Sequence, residues 1–416
     1  MRNTLISLIG LSILLWGGWV LVRVELQSAG TGEAYAGGLR ERGFLLGDPG
    51  GVRSKVSGKG VRVEGQVTAD YSRVFDGGAD PGGSVFRTLF EAGLSLETEP
   101  LVGLRGGMLL IRFVNQNGRD GSESVGDFQV YSNIDEANFT AIYEWFYEQE
   151  LLDGRLRIKV GKVDANEEFA YVEHGGEFIH SSPGFSPTIQ SFPSYPDPAT
   201  SVNVFVVPSD TMYAAFGLYD GALQEGIATG RRGPSTFFGE PDDLFLIAEA
   251  GMTYGEDWRP GRVGAGVWRH TGTFERFDGG REGSASGYYI VFDQVLYRHN
   301  PSDPDDAREV GMFAQYGWAD PRVSEVEHHV GMGAQWTGPF PRRDADVAGV
   351  MASYVHFSDK PGSAFIEAGE LAIEVFYKAQ ITPWFGFKPD LQFIANPGGQ
   401  ELPDAWVGTL RAELAF

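Results

Sequence analysis

The 416-residue sequence contains no cysteine. That excludes disulfide scaffolds, thiolate metal sites and cysteine nucleophiles together. Basic residues are scarce: 33 Lys and Arg stand against 56 Asp and Glu, a formal charge of −23. A nucleic-acid partner is excluded by that balance, because phosphate backbones demand basic surface. After the first two dozen residues no uncharged apolar run is long enough for a membrane-spanning helix, and no long segment shows the 3.6-residue period of an amphipathic helix. What the chain has instead is 58 glycines and 13 % aromatic residues, too apolar and aromatic a mixture for a disordered protein.

The N-terminus departs from this pattern. Arg2 precedes an apolar run over residues 5–22, and Ala34-Tyr35-Ala36 offers a small-x-small cleavage site. Residues 1–36 read as a secretory signal peptide cleaved after Ala36, with 37–60 as a short leader. The run is also long enough for an uncleaved anchor.

From residue 61 onward the period is two. Val61, Val63, Gly65, Val67, Ala69 and Tyr71 alternate with Arg62, Glu64, Gln66, Thr68, Asp70 and Ser72; Leu371, Ile373, Val375 and Tyr377 alternate with Glu370, Glu374 and Lys378. Strand side chains point alternately to opposite faces, so each segment predicts a strand with one apolar and one polar face. Sixteen segments fit: 61–72, 86–97, 106–114, 138–149, 154–163, 202–208, 211–219, 244–254, 262–271, 286–297, 309–318, 328–337, 348–357, 370–381, 388–395 and 406–416. Most are longer than the ordinary globular strand of about 5–6 residues and match the roughly 9–11 needed to cross a bilayer obliquely. The first, third, fifth and seventh connections are long and those between them short, the rhythm of an outer-membrane barrel with short periplasmic turns. A soluble β-sandwich would alternate too. Aromatics near strand ends (Tyr143, Trp145 and Tyr147; Tyr316 and Trp318) suit interfacial girdles instead, and the last strand ends on Phe416, like a signal for outer-membrane assembly machinery. The expectation is an all-β protein: a 16-stranded antiparallel transmembrane barrel over 61–416, exported to the cell outer membrane.

A series of segments carries a resemblance. Val160-Gly161-Lys162-Val163-Asp164-Ala165-Asn166 is followed by Phe169-Ala170, Phe178 and Ser181-Ser182; then come Pro193-Ser194-Tyr195-Pro196, Tyr219-Asp220-Gly221, Trp268, and Phe277-Asp278-Gly279-Gly280. Gln315-Tyr316-Gly317, Phe357-Ser358-Asp359, Gln380-Ile381-Thr382-Pro383-Trp384 and Asn396-Pro397-Gly398-Gly399 complete it. In this order, across residues 60–416, the chain resembles the carbohydrate-selective porins of the OprB type. The resemblance implies a sixteen-stranded outer-membrane channel for passive uptake of monosaccharides or short oligosaccharides. A general or ion-preferring porin on the same barrel is the alternative, and a secreted soluble β-rich sugar-binding or sugar-active protein a further one.

The inward face of such a barrel is where selectivity would reside. Arg155, Arg157 and Lys159 form a basic ladder on one strand, opposing acidic rows elsewhere. It either creates a transverse field that orients hydroxyls, for which planar guanidinium and carboxylate groups are suited, or merely offsets the carboxylates. Glu374, Lys378, Arg411 and Glu413 face inward on the last strands, and Trp268 and Phe376 are inward aromatics, either sugar platforms or packing beneath a folded-in loop. The connection 164–201, with 38 residues, several aromatics and no strand of its own, is predicted to fold into the channel and narrow it. Lys162, Asp164 and Asn166 at its start are candidate lining residues, with an Asx turn the competing role for the last two. No catalytic, metal or cofactor motif emerges: His328 and His329 are adjacent and so point to opposite faces, and Asp303, Asp305 and Asp306 lack the spacing of a calcium loop. The expected partners are carbohydrate solutes, outer-membrane lipid and the assembly machinery, with a homo-oligomer as an option.

Overall fold

The computed structural model describes residues 42–256, 259–303 and 305–416; the signal peptide expected at 1–36 and the first residues of the leader lie outside them. Sixteen antiparallel strands close a barrel: β1 Val61–Asp76, β2 Ser84–Glu97, β3 Gly107–Asn117, β4 Phe139–Leu151, β5 Leu156–Val163, β6 Ala199–Ser209, β7 Met212–Asp220, β8 Leu244–Tyr254 and β9 Gly261–His270. A two-residue hairpin, β10 Phe274–Glu275 and β11 Arg281–Glu282, forms its own small sheet. The barrel then resumes with β12 Ala285–Arg298, β13 Glu309–Ala319, β14 Val326–Thr337, β15 Val347–Phe357, β16 Gly369–Thr382, β17 Phe385–Ala395 and β18 Ala405–Ala415. Every strand expected from the period-two pattern is present. Closure matters physically, because hydrocarbon offers no partner to an unpaired N–H or C=O and a closed sheet has no edge.

The wall follows the alternation. On β16, Glu370, Ala372, Glu374, Phe376 and Lys378 are buried inward, whereas Ile373, Val375 and Ile381 are exposed outward. The seam joins β18 to β1, with Arg411 opposite Asp70. Past β18, Phe416 extends the ladder through bonds with Gly65 in both directions, at 2.9 and 3.0 Å. A Cβ at Gly65 would lie 2.3 Å from the Phe416 ring, so only a glycine lets that ring settle there. A short helix, α1 Val52–Ser57, lies beside this end, and Arg53 Nη2 donates to the Phe416 carbonyl at 3.2 Å.

Three sequence expectations need correction. β5 begins at Leu156, and Arg155 lies in the turn before it, so it is exposed and takes no part in the inward ladder. β4 carries a bulge: Arg112 pairs with Glu144 but Phe113 with Ile142. The extra residue breaks the parity, so Tyr143 and Glu144 are both buried, and Tyr143 belongs to the interior rather than to an outer aromatic girdle. Lys162 pairs with Trp145 and Thr200, the outward parity of β5, and its Nζ donates to the Gly230 carbonyl of the β7–β8 connection at 2.6 Å. It is covered by that connection and does not line the pore.

Candidate functional site

The segment between Val163 and Ala199 turns into the barrel. Its start is set by local chemistry: Asp164 caps a single 3-10 turn, Ala165–Glu167, accepting from the Asn166 N–H at 2.8 Å, so the Asx-turn role expected for this pair is what the geometry displays. The Tyr143 hydroxyl donates to the same carboxylate. Burial pushes the Asp164 carboxyl up to about 6. Beyond the turn, Phe169, Ala170, Val172, Phe178, Ile189 and Phe192 bury against wall residues from β4 through β16, including Phe146, Phe205, Phe245, Phe313 and Phe376. Apolar surface thus fills the barrel interior around the segment, which holds it inside rather than above the rim.

Acidic side chains of the segment meet cations of the wall one after another. Glu167 lies 2.5 Å from Arg112 on β3, which also pairs with Glu144 at 2.8 Å. Glu168 receives Arg157 Nη2 at 2.6 Å and Lys159 Nζ, both from β5, and Arg157 also reaches Glu148 at 2.8 Å. Burial alone would raise the Glu168 carboxyl; the two cations overcome it and hold it down to about 2. Glu177 pairs with Lys378 on β16 and Lys388 on β17, each at 2.9 Å, and Glu413 on β18 backs both lysines. These cations hold Glu177 below the usual carboxylate range against its desolvation.

Between these anchors the wall grips the backbone. Glu249 on β8 accepts the Ala170 N–H at 3.0 Å, and Arg262 on β9 donates to the Tyr171 carbonyl at 3.2 Å while pairing with Glu249 at 3.0 Å. Glu374 on β16 accepts the Ile179 and His180 N–H groups at 2.7 and 3.0 Å. His174 sits between Asp293 on β12, 3.3 Å from Nδ1, and Glu309 on β13, 3.4 Å from Nε2. Desolvation would lower the imidazole, but these two carboxylates lift it to about 9. The connection 118–138 also folds inward: the Asn133 N–H donates to the Ile179 carbonyl at 2.7 Å, and Asn133 Oδ1 accepts from Arg411 at 2.8 Å.

The structure therefore sorts the expected residues. Arg157 and Lys159 face inward, yet each is matched by a carboxylate of the infolded segment, so the ladder offsets charge locally and sets up no free transverse field. Glu374, Lys378, Arg411 and Glu413 face inward as well. Of these four, Glu413 keeps a fifth of its side chain exposed, and the others are buried in the contacts above or, for Arg411, against Asp70. Trp268 is 2 % exposed and stacks on Phe245, and Phe376 is 3 % exposed with Phe178 edge-on at 5.0 Å. Both are packing beneath the segment, not platforms open to a solute. The period-two alternation does not single out Glu167, Glu168, Glu177 and His174 on the segment or Arg112, Arg262 and Lys388 on the wall. Their signal was present: a run of acids in one connection matched by lone cations at inward positions of distant strands. Among the charges still partly open to water are the pairs Arg157–Glu148 and Arg298–Glu309, the latter at 3.0 Å with each side chain about a quarter exposed.

Comparison with known proteins places these features. The sequence model of a family described as "Carbohydrate-selective porin, OprB family" matches residues 87–416. Porin B of Pseudomonas aeruginosa is 22 % identical over 420 residues, covering 90 % of this chain and 91 % of the relative. The high-pH structure of Pseudomonas putida OprB superposes with a TM-score of 0.82 at 18 % identity, covering 91 % of this chain and all of that one. The low-pH structure of the same protein gives 0.61 at 15 % identity, with 91 % and 99 % covered.

Proposed function

This chain belongs to the OprB family of carbohydrate-selective porins, and from that premise we propose that the segment 164–198 is the filter through which its sugars pass. The protein is an outer-membrane channel for carbohydrates. Sixteen strands enclose a passage wide enough for water, and narrowing is what turns such a passage into a discriminating one.

One observation carries the reading. The segment is tied to the wall by carboxylate–cation pairs at Glu167, Glu168 and Glu177, spread from β3 round to β17. A strap held at so many points is a fixed diaphragm. The partly exposed pairs Arg157–Glu148 and Arg298–Glu309, with Glu413, present planar donors beside acceptors. Adjacent sugar hydroxyls, each donor and acceptor at once, exchange their water for such groups at little cost. An ion finds there charges already neutralised. Export through residues 1–36 and recognition of the Phe416 end by the assembly machinery belong to the same reading.

The test is the current through single channels in planar bilayers. Increasing glucose or a short glucose oligomer should reduce the ion current in a saturable way. Current insensitive to sugar at every concentration would identify a general porin and overturn the filter.

A further inference from the structure

On the outer wall, near the rim that carries the long connections, the lipid-facing surface is not smooth. A groove of about 430 Å³ crosses β7, β8, β9, β12 and β13. Register explains its shape. Phe216, Ala248, Val267, Tyr288 and Trp318 stand side by side in one lateral row. Ala248 leaves a gap beside Phe216, and Tyr288 stacks on Trp318 at 5.4 Å to make the far wall. One step nearer the rim, Arg269 projects outward between Leu246 and Ser286.

An arginine on the lipid face is costly near the bilayer midplane and tolerable only towards the interface. Arg269 is the penultimate residue of β9, at the interface end. Among the described residues its hydrogen-bond partner is the neutral Ser284 hydroxyl, 3.2 Å from Nη2, which leaves its charge uncompensated. A guanidinium is suited to bidentate contact with phosphate. Directly below it lies an apolar trough with one aliphatic and two aromatic faces.

We infer that this groove binds an outer-leaflet lipid bearing phosphate on its head, with the phosphate on Arg269 and one acyl chain along Ala248, Val267 and Tyr288. Charge complementarity selects this occupant. A second copy meeting the groove about a two-fold axis would bring the same uncompensated arginine to the contact, whereas the lipid supplies the missing anion and a chain that conforms to a trough.

Native mass spectrometry of the intact channel in detergent tests the inference, with a synthetic bis-phosphorylated, hexa-acylated diglucosamine lipid as the probe and its dephosphorylated form as the comparison. Wild type should retain the phosphorylated lipid, and the dephosphorylated one about tenfold less, the discrimination expected of a charge-assisted hydrogen bond. Arg269→Gln should lose that discrimination, and Ala248→Trp, which fills the trough, should lose both lipids. Heat-modifiable migration and sugar block should be unchanged in both variants, because neither residue faces the lumen. Equal retention by wild type and Arg269→Gln would overturn the assignment. So would an Ala248→Trp variant that keeps its lipid but dissociates a stable oligomer, which would show a second copy in the groove.

Discussion

Glu177, carried by the infolded segment, lies 2.9 Å from the Lys388 ammonium on β17, far round the ring from β5, where the segment leaves the wall. Lys388 also donates to the Glu177 backbone carbonyl at 2.6 Å. One lysine thus fixes both the charge and the chain direction of the strap on the side of the ring remote from β5. Glu177→Ala leaves Lys378 and Lys388 with Glu413 alone, and loss of one partner from a buried ion pair costs about 3–5 kcal/mol. The expected result is a lower urea midpoint in micelles, read by heat-modifiable migration, and a larger, noisier single-channel conductance. Unchanged stability and conductance would show that the strap is held elsewhere.

His174 gives the strap a pH dependence of known sign. Its folded-state value lies near 9, above the ordinary 6.5, because Asp293 and Glu309 favour the imidazolium more than burial opposes it. Its contribution is therefore complete below pH 6.5 and is lost as pH rises through about 9. Sugar block should be constant around pH 6 and weaken as pH approaches 9. His174→Gln should remove that slope. A slope that survives the substitution assigns it to another group.

Gly311 on β13 makes room for the same histidine: a Cβ there would fall 1.9 Å from the His174 ring. Gly311→Val should expel His174 from between its carboxylates while leaving the strand paired, since valine suits a strand. Conductance should rise and the pH slope should vanish, as in His174→Gln. A wild-type pH profile in Gly311→Val would contradict this placement.

Trp268 separates packing from sugar contact. Buried against Phe245, it should tolerate Trp268→Phe with the saturable sugar block retained, because a phenyl ring still packs there and the cost of the smaller ring falls on stability, not on sugar contact. Trp268→Ala should destabilise the barrel by about 3–5 kcal/mol. A large loss of sugar block in Trp268→Phe, measured by current titration, would make the indole a contact after all.

The wall was legible because its physics is repetitive. Lipid outside and water inside impose a period of two on every strand, so Ile373, Val375 and Glu374 declare their faces without any knowledge of their neighbours. Position along the chain carried less. The bulge that turns Tyr143 inward is one extra residue with no compositional mark. Lys162, a candidate lining residue at the start of the long connection, stands three positions after Lys159, and an odd step along a strand points a side chain the other way. The site was legible in outline only: a long aromatic connection announces an infolded segment, whereas the partners of Glu168 and Glu177 depend on where that segment runs across the lumen. The alternation turns Trp268 and Phe376 inward, where the structure has them; that the segment covers them is a tertiary fact.

The most direct test of the account is single-channel current, with and without sugar, through a Glu168→Ala, Glu177→Ala double variant that still shows heat-modifiable migration. Two of the strap's three carboxylate anchors are then gone, Glu167 alone keeping its cation, while the barrel remains. The account predicts a larger open-channel conductance and loss of the saturable block by sugar. Wild-type conductance with wild-type block would contradict it, because the diaphragm would then owe nothing to the pairs at Glu168 and Glu177.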